Sequence, residues 1–101
     1  MIVMKTRNEY IDLLKSCGGV LRKQFGVRSL RLFGSVARGE HEEASDVDVC
    51  VVTETPNPFL IQDIKEFLEK LFDCPVDVIR CRESMNPFLK KQIEKDGIYV
   101  L

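Results

Sequence analysis

The chain has 101 residues, enough for one domain with a small core but too few to build an elaborate acceptor pocket of its own. Hydrophobic residues make up 45% and charged residues 31%, and 15 basic against 16 acidic side chains leave a net charge of −1, so extended nucleic-acid binding has no electrostatic basis. No apolar run approaches the roughly 20 residues that span a bilayer, and the first residues lack a signal-peptide pattern, so a cytoplasmic protein without a membrane segment is expected.

Tyr10, Leu14, Cys17, Leu21 and Phe25 recur at helical steps and predict a first helix from about Thr6 to Phe25. Gly18-Gly19 interrupts its middle, which calls for either a close packing contact or a break, and Gly26 fits a C-cap. A strand follows from Val27 to Phe33, then a small, polar stretch from Gly34 to Ala44 that reads as a turn or short helix plus loop. The next strand, Asp46 to Thr53, sends Val47, Val49 and Val51 to one face and Asp46, Asp48 and Cys50 to the other.

Pro56-Asn57-Pro58 breaks the chain and starts a helix, with Asn57 as N-cap and Pro58 at its first position. Leu60, Ile64, Phe67, Leu68 and Leu71 form its apolar stripe. Pro75 precedes a short strand, Val76-Asp77-Val78-Ile79. Asn86-Pro87 repeats the capping signal for a last helix to about Lys95, with Phe88, Leu89, Gln92 and Ile93 facing inward. Asp96-Gly97 stops that helix, and Ile98 to Leu101 reads as a terminal strand. The whole chain, residues 1–101, is expected to be one α/β (α+β) domain, a small mixed β-sheet of about four strands packed against helices. Met1-Ile2-Val3-Met4 and Ile98 to Leu101 offer apolar edges for pairing with a partner or another copy.

Cys17, Cys50, Cys74 and Cys81 form no C-x-x-C pair, and the single His41 is not spaced as their partner, so reduced thiols rather than a zinc site are expected.

Chemistry concentrates in three places. Gly34-Ser35 closes one strand, Asp46-Val47-Asp48 opens the next, and Asp77 interrupts an otherwise apolar third. Asp46 and Asp48 leave the same strand face, and two carboxylates so placed repel unless a cation lies between them. Magnesium takes one or two carboxylates together with phosphate oxygens and water, so the pair suits Mg²⁺ carried by a nucleoside triphosphate. Gly34 admits phosphate close to the backbone, Ser35 adds a hydroxyl and an amide, and Arg38 supplies positive charge. Asp77 would complete a carboxylate set and take the proton from an incoming hydroxyl, as in two-metal displacement at phosphorus.

Each feature alone has an ordinary reading. Gly-Ser is a common turn, D-x-D an exposed strand start, and Asp77 an edge-strand charge. Arg38, Glu40, Glu42 and Glu43 read as a solvated loop, with His41 a bystander within it. Their coincidence at fixed offsets and at strand ends is what favours a site.

Leu32-Phe33-Gly34-Ser35-Val36-Ala37-Arg38-Gly39, followed by Ser45-Asp46-Val47-Asp48-Val49, resembles the signature of the DNA polymerase beta-like nucleotidyltransferases, and the short length resembles their minimal branch. The resemblance implies a nucleotidyltransferase fold and transfer of a nucleoside monophosphate, AMP from ATP, to a hydroxyl. It implies Asp46, Asp48 and Asp77 as catalytic magnesium ligands, and Gly34 and Ser35 as holders of the triphosphate. Asp46 also touches the nucleotide, and Arg38 matches a position that is often basic. With no acceptor domain on this chain, the acceptor is either small or presented by another protein. Minimal members resemble antitoxins that attach AMP to a tyrosine of a HEPN ribonuclease toxin, a toxin–antitoxin system working by AMPylation, and that is the leading expectation. The alternatives are a non-catalytic nucleotide-binding antitoxin that neutralises its partner by complex formation, and a small-molecule enzyme of the aminoglycoside nucleotidyltransferase type.

Overall fold

In the computed structural model, residues 5–40, 46–55, 57–81 and 85–101 are described. The first helical stretch is two helices, α1 (Arg7–Ser16) and α2 (Gly18–Phe25). Thr6 caps α1 in a reciprocal box with Glu9. The chain breaks at Cys17, and a Cβ at Gly18 would come within 2.8 Å of the Leu101 side chain. Both consequences of the Gly18-Gly19 pair are therefore realised at one place. Gly26, at φ 64°, ends α2 in the left-handed conformation.

β1 (Val27–Phe33) leads directly into the short helix α3 (Gly34–Arg38). β2 (Val47–Thr53) begins one residue later than the sequence pattern gave, leaving Asp46 just outside it. α4 (Pro58–Phe72) and α5 (Pro87–Asp96) start alike. Asn57 accepts a 2.9 Å hydrogen bond from the Phe59 amide, and Asn86 accepts one of the same length from the Phe88 amide. β3 (Val76–Arg80) lies between them, and β4 (Ile98–Tyr99) closes the chain as a two-residue strand.

The sheet order is β3-β2-β1-β4. β1 runs antiparallel to β2 and β4, whereas β2 and β3 are parallel, joined by α4. The sheet is mixed, as the element order implied. Its pleat separates two faces. Leu30, Leu32, Val47, Val49, Val51 and Val76 join Leu14, Leu21, Ile64, Leu68 and Phe72 of α1, α2 and α4 in the main core. A register shift between Val27 and Ser29 turns Val27 into this core, although strict alternation would send it the other way. On the opposite face a smaller cluster forms from Phe33, Cys50 and Ile93, bordered by Ile79, Cys81, Met85 and Leu89.

α5 covers that second face with one fully buried side chain, Ile93. The inward positions expected from its sequence hold for Leu89 and Ile93. Phe88 and Gln92 are exposed instead, because the side of α5 that meets the sheet is narrow and is taken up by Leu89 and Ile93. The expectations for Met1 to Met4, for the loop around His41, and for Pro56 lie outside the described residues.

Candidate active site

The register of the sheet brings three chain segments to one point. Phe33 pairs with Asp48 across the antiparallel β1–β2 ladder, and Asp48 pairs with Asp77 across the parallel β2–β3 ladder. Gly34 follows Phe33 at φ 77°, a conformation that glycine adopts without strain. A Cβ at Gly34 would overlap Oδ2 of Asp48 and lie 3.1 Å from its Cγ. The glycine therefore does two things at once: it turns the chain from β1 into α3, and it leaves room for the carboxylate. Gly39, at φ 72°, caps the other end of α3, where its amide donates to the Val36 carbonyl and that of Glu40 donates to the Ser35 carbonyl. The Gly34-Ser35 turn is thus fixed at both ends.

The three aspartates are placed unequally. Asp48 is half-buried on the strand, while Asp46 and Asp77 are exposed. Burial, then the charges of Asp77 and of Asp46, push the Asp48 carboxyl up to about 6 against the opposing pull of Arg38. Negative charge is thus concentrated at a place partly withdrawn from water. Among the described residues, no group of three acidic, cysteine or histidine side chains stands close enough to hold a metal ion alone. An electrostatically strained carboxylate with like-charged neighbours, beside a glycine that leaves space over it, fits a magnesium ion that arrives with a triphosphate and takes part of its coordination from phosphate oxygens. It does not fit a resident ion held by protein ligands only.

Arg38 lies at the end of α3. Its Nε donates to Oε2 of Glu40 and its Nη1 donates to Oδ2 of Asp96, both at 2.9 Å. The sequence suggested a cation for phosphate; the structure has it bridging α3 to the end of α5. Asp96 was read from sequence only as part of a helix stop. No local signal pointed to its pairing, because the partner lies on a distant element brought near by the fold.

A separate cavity of about 140 Å³ opens between α5 and the sheet, lined among others by Ser29, Arg31, Cys50, Val52, Met85 and Tyr99. It includes none of the six residues singled out from sequence. The Phe33–Cys50–Ile93 cluster stands between it and Asp48, and the Arg31 guanidinium stacks 4.0 Å from the Tyr99 ring centre at its rim.

The family model described as nucleotidyltransferase domain matches residues 14–100. A Methanocaldococcus jannaschii protein provisionally named a protein adenylyltransferase is 40% identical over 100 residues, covering 96% of this chain and all of its own length. The protein adenylyltransferase MntA of Thermococcus cleftensis is 34% identical over 100 residues, covering 98% of this chain and again its entire length. Among solved structures, one described provisionally as a minimal nucleotidyltransferase superposes with a TM-score of 0.76 at 28% identity, covering 96% of this chain and 98% of that one. A chain from the complex of a tri-AMPylated Shewanella oneidensis HEPN toxin with MNT antitoxin shares the fold, with a TM-score of 0.65 at 20% identity over 90% of this chain and 71% of that one.

Proposed function

The chain belongs to the nucleotidyltransferase domain family, and from that membership and the geometry of its carboxylates we propose that it is a magnesium-dependent protein adenylyltransferase, moving AMP from ATP to a tyrosine hydroxyl of a partner HEPN toxin and thereby acting as its antitoxin. The observation that carries the chemistry is the placement of Asp48, beside Asp77 in register and against the Gly34 turn. The observation that supports the partner is the likeness to named protein adenylyltransferases along their full length, together with the fold shared with a toxin–antitoxin complex. A single domain over residues 1–101 is part of this proposal, as is a cytoplasmic setting. The four cysteines are free thiols, and no described helix is long and apolar enough to cross a membrane.

In this reading the backbone at Gly34-Ser35 and the Ser35 hydroxyl hold the triphosphate, and Asp46 and Asp48 hold the magnesium that comes with it. Asp77 is the third carboxylate. Bound magnesium would neutralise charge on the phosphates and on the leaving group. The acceptor oxygen attacks the α-phosphorus, the bond from that phosphorus to the bridging oxygen breaks, and pyrophosphate leaves. Asp77, exposed at the face of β3, takes the hydroxyl proton. Arg38 stands close enough to Asp48 to lower its pKa and adds positive potential to the site.

The test is mass spectrometry of the partner after incubation with this protein, ATP and magnesium. One added AMP per modified tyrosine is expected, and none with Asp46→Asn or Asp48→Asn. Absence of label transfer from labelled ATP to the cognate partner would overturn the reading. Protection of cells by the Asp46→Asn/Asp48→Asn double variant would move the function to neutralisation by complex formation.

A further inference from the structure

α5 sits over the residues that shape the site. Its one fully buried side chain, Ile93, packs on Phe33 and Cys50. Phe33 immediately precedes Gly34 and is the register partner of Asp48, and Cys50 is the next residue on the same face of β2. Any tilt of α5 is therefore felt by the two residues whose close approach defines the site. At the C-terminal end of α5 the fit is tighter still. A Cβ at Gly97 would overlap the Ile93 carbonyl oxygen and crowd the Arg31 side chain at 3.2 Å. There α5 has a polar tie to α3, the bond from Arg38 to Asp96.

Exposed ion pairs usually hold little. This one differs in two respects. The Asp96 side chain is only 14% exposed, so its charge is mostly withdrawn from water, and Arg38 engages two carboxylates at once, Glu40 on its own loop and Asp96 across the gap. With Ile93 the one fully buried side chain of α5, this tie contributes to where the C-terminal end of the helix lies.

We propose that Arg38 and Asp96 are positioning residues, a clip between α3 and α5 that acts through Ile93 and Phe33 to hold Gly34 and Asp48 at the separation nucleotidyl transfer requires. Arg38 does not, on this reading, grip the triphosphate. Misalignment of reacting groups by a fraction of a bond length is felt in the turnover step more than in ground-state affinity, because alignment is exploited most fully in the transition state. The kinetic part of this inference rests on the proposed AMP transfer; the structural part does not.

The experiment compares Arg38→Gln, Asp96→Asn and their double variant. Amide hydrogen exchange along α5 is followed in the nucleotide-free protein, and kcat and KM for magnesium-ATP are measured in transfer to the partner. Each single variant is expected to speed exchange in the last turn of α5 and to lower kcat by about tenfold with KM within about twofold. The double variant should be no worse than either single one in both readouts. A rise in KM for Arg38→Gln, with Asp96→Asn unchanged in exchange and in kcat, would overturn the proposal and assign Arg38 to the phosphates. Additive losses in the double variant would overturn it too. If the unaltered protein transfers no AMP, the proposed function fails while the exchange measurement still decides the clip.

Discussion

Gly34 and Asp48 compete for one volume: the space where a side chain on Gly34 would begin is filled by Oδ2 of Asp48. The residue before Gly34 pairs in register with Asp48, so the ladder holds the two backbones together and any relief must come from turning the Asp48 carboxylate away.

Gly34→Ala should accordingly fail in two ways. The left-handed φ and the overlap together should destabilise the fold by about 1–3 kcal/mol, and displacement of Asp48 should cost at least about 100-fold in transfer. Gly39→Ala is the control. Its φ is similar, but nothing lies within 4 Å of the added carbon. It should destabilise by about 1–2 kcal/mol and keep most of the activity. Urea unfolding and the transfer assay on both variants check the contrast.

Asp48→Asn should remove activity and stabilise the nucleotide-free protein. The carboxyl sits near 6 in the fold, raised by burial first and by Asp77 and Asp46 next, against 3.8 for an ordinary aspartate. Between those values the folded state binds more protons than the unfolded one, so stability falls as pH rises through the window and stays reduced above it. Allowing for solvent screening at a half-exposed group, removing the charge should gain about 1 kcal/mol at pH 7. The gain should vanish at about pH 2.5, where Asp48 is protonated in both states. Unfolding titrations at the two pH values measure it.

Chelation of divalent cations should abolish transfer, and restored magnesium should return it. Protons compete with the cation for Asp48, so magnesium-dependent nucleotide affinity should weaken as pH falls below about 6. Titration calorimetry with a non-hydrolysable triphosphate across pH 5 to 8 would show the trend, and affinity that is flat across that range would count against Asp48 as a ligand.

Alkaline unfolding should come in two parts. Burial, then its contacts with Cys81, push Cys50 up to about 12 from 9.0. Burial, then its bond with Cys74, push Tyr10 to about 12 from 10.0. Both folded values are raised, so the stability these groups contribute is fully present below pH 9 and is lost progressively as pH climbs towards 12. Tyr10→Phe keeps the edge-on contact with Phe72, centroids 5.1 Å apart, and should flatten only the part above pH 10. Thermal melts at pH 8, 10 and 11.5 separate the two contributions.

The strands and the long helices were legible because each carries its own period or its own cap. Val47, Val49 and Val51 alternate, and Asn57-Pro58 and Asn86-Pro87 announce helix starts through side-chain hydrogen bonds within two residues. Gly34, Asp46 and Asp48 could be singled out because their spacing is local. What stayed hidden depends on register between distant segments. Asp77 could be named as a third carboxylate, but its place in register beside Asp48 follows only from the parallel ladder, and Asp96 reads as a helix end until α5 folds back on α3. The exposure of Phe88 was missed for the same reason: a helical stripe tells which side is apolar, not how much of its length the sheet can cover.

The crossover from β2 through α4 to β3 has a kinetic meaning. Asp48 and Asp77 are neighbours in space only after all of α4 has folded and docked, whereas Gly34 meets Asp48 through the sheet's antiparallel pair. Loop closure of that length is slow relative to local pairing. A refolding chain should therefore regain its β1–β2 pair before it regains catalysis, and loosening Ile64 or Leu68, which lie in the main core on the sheet face opposite Asp48, should delay the onset of activity rather than lower its final level.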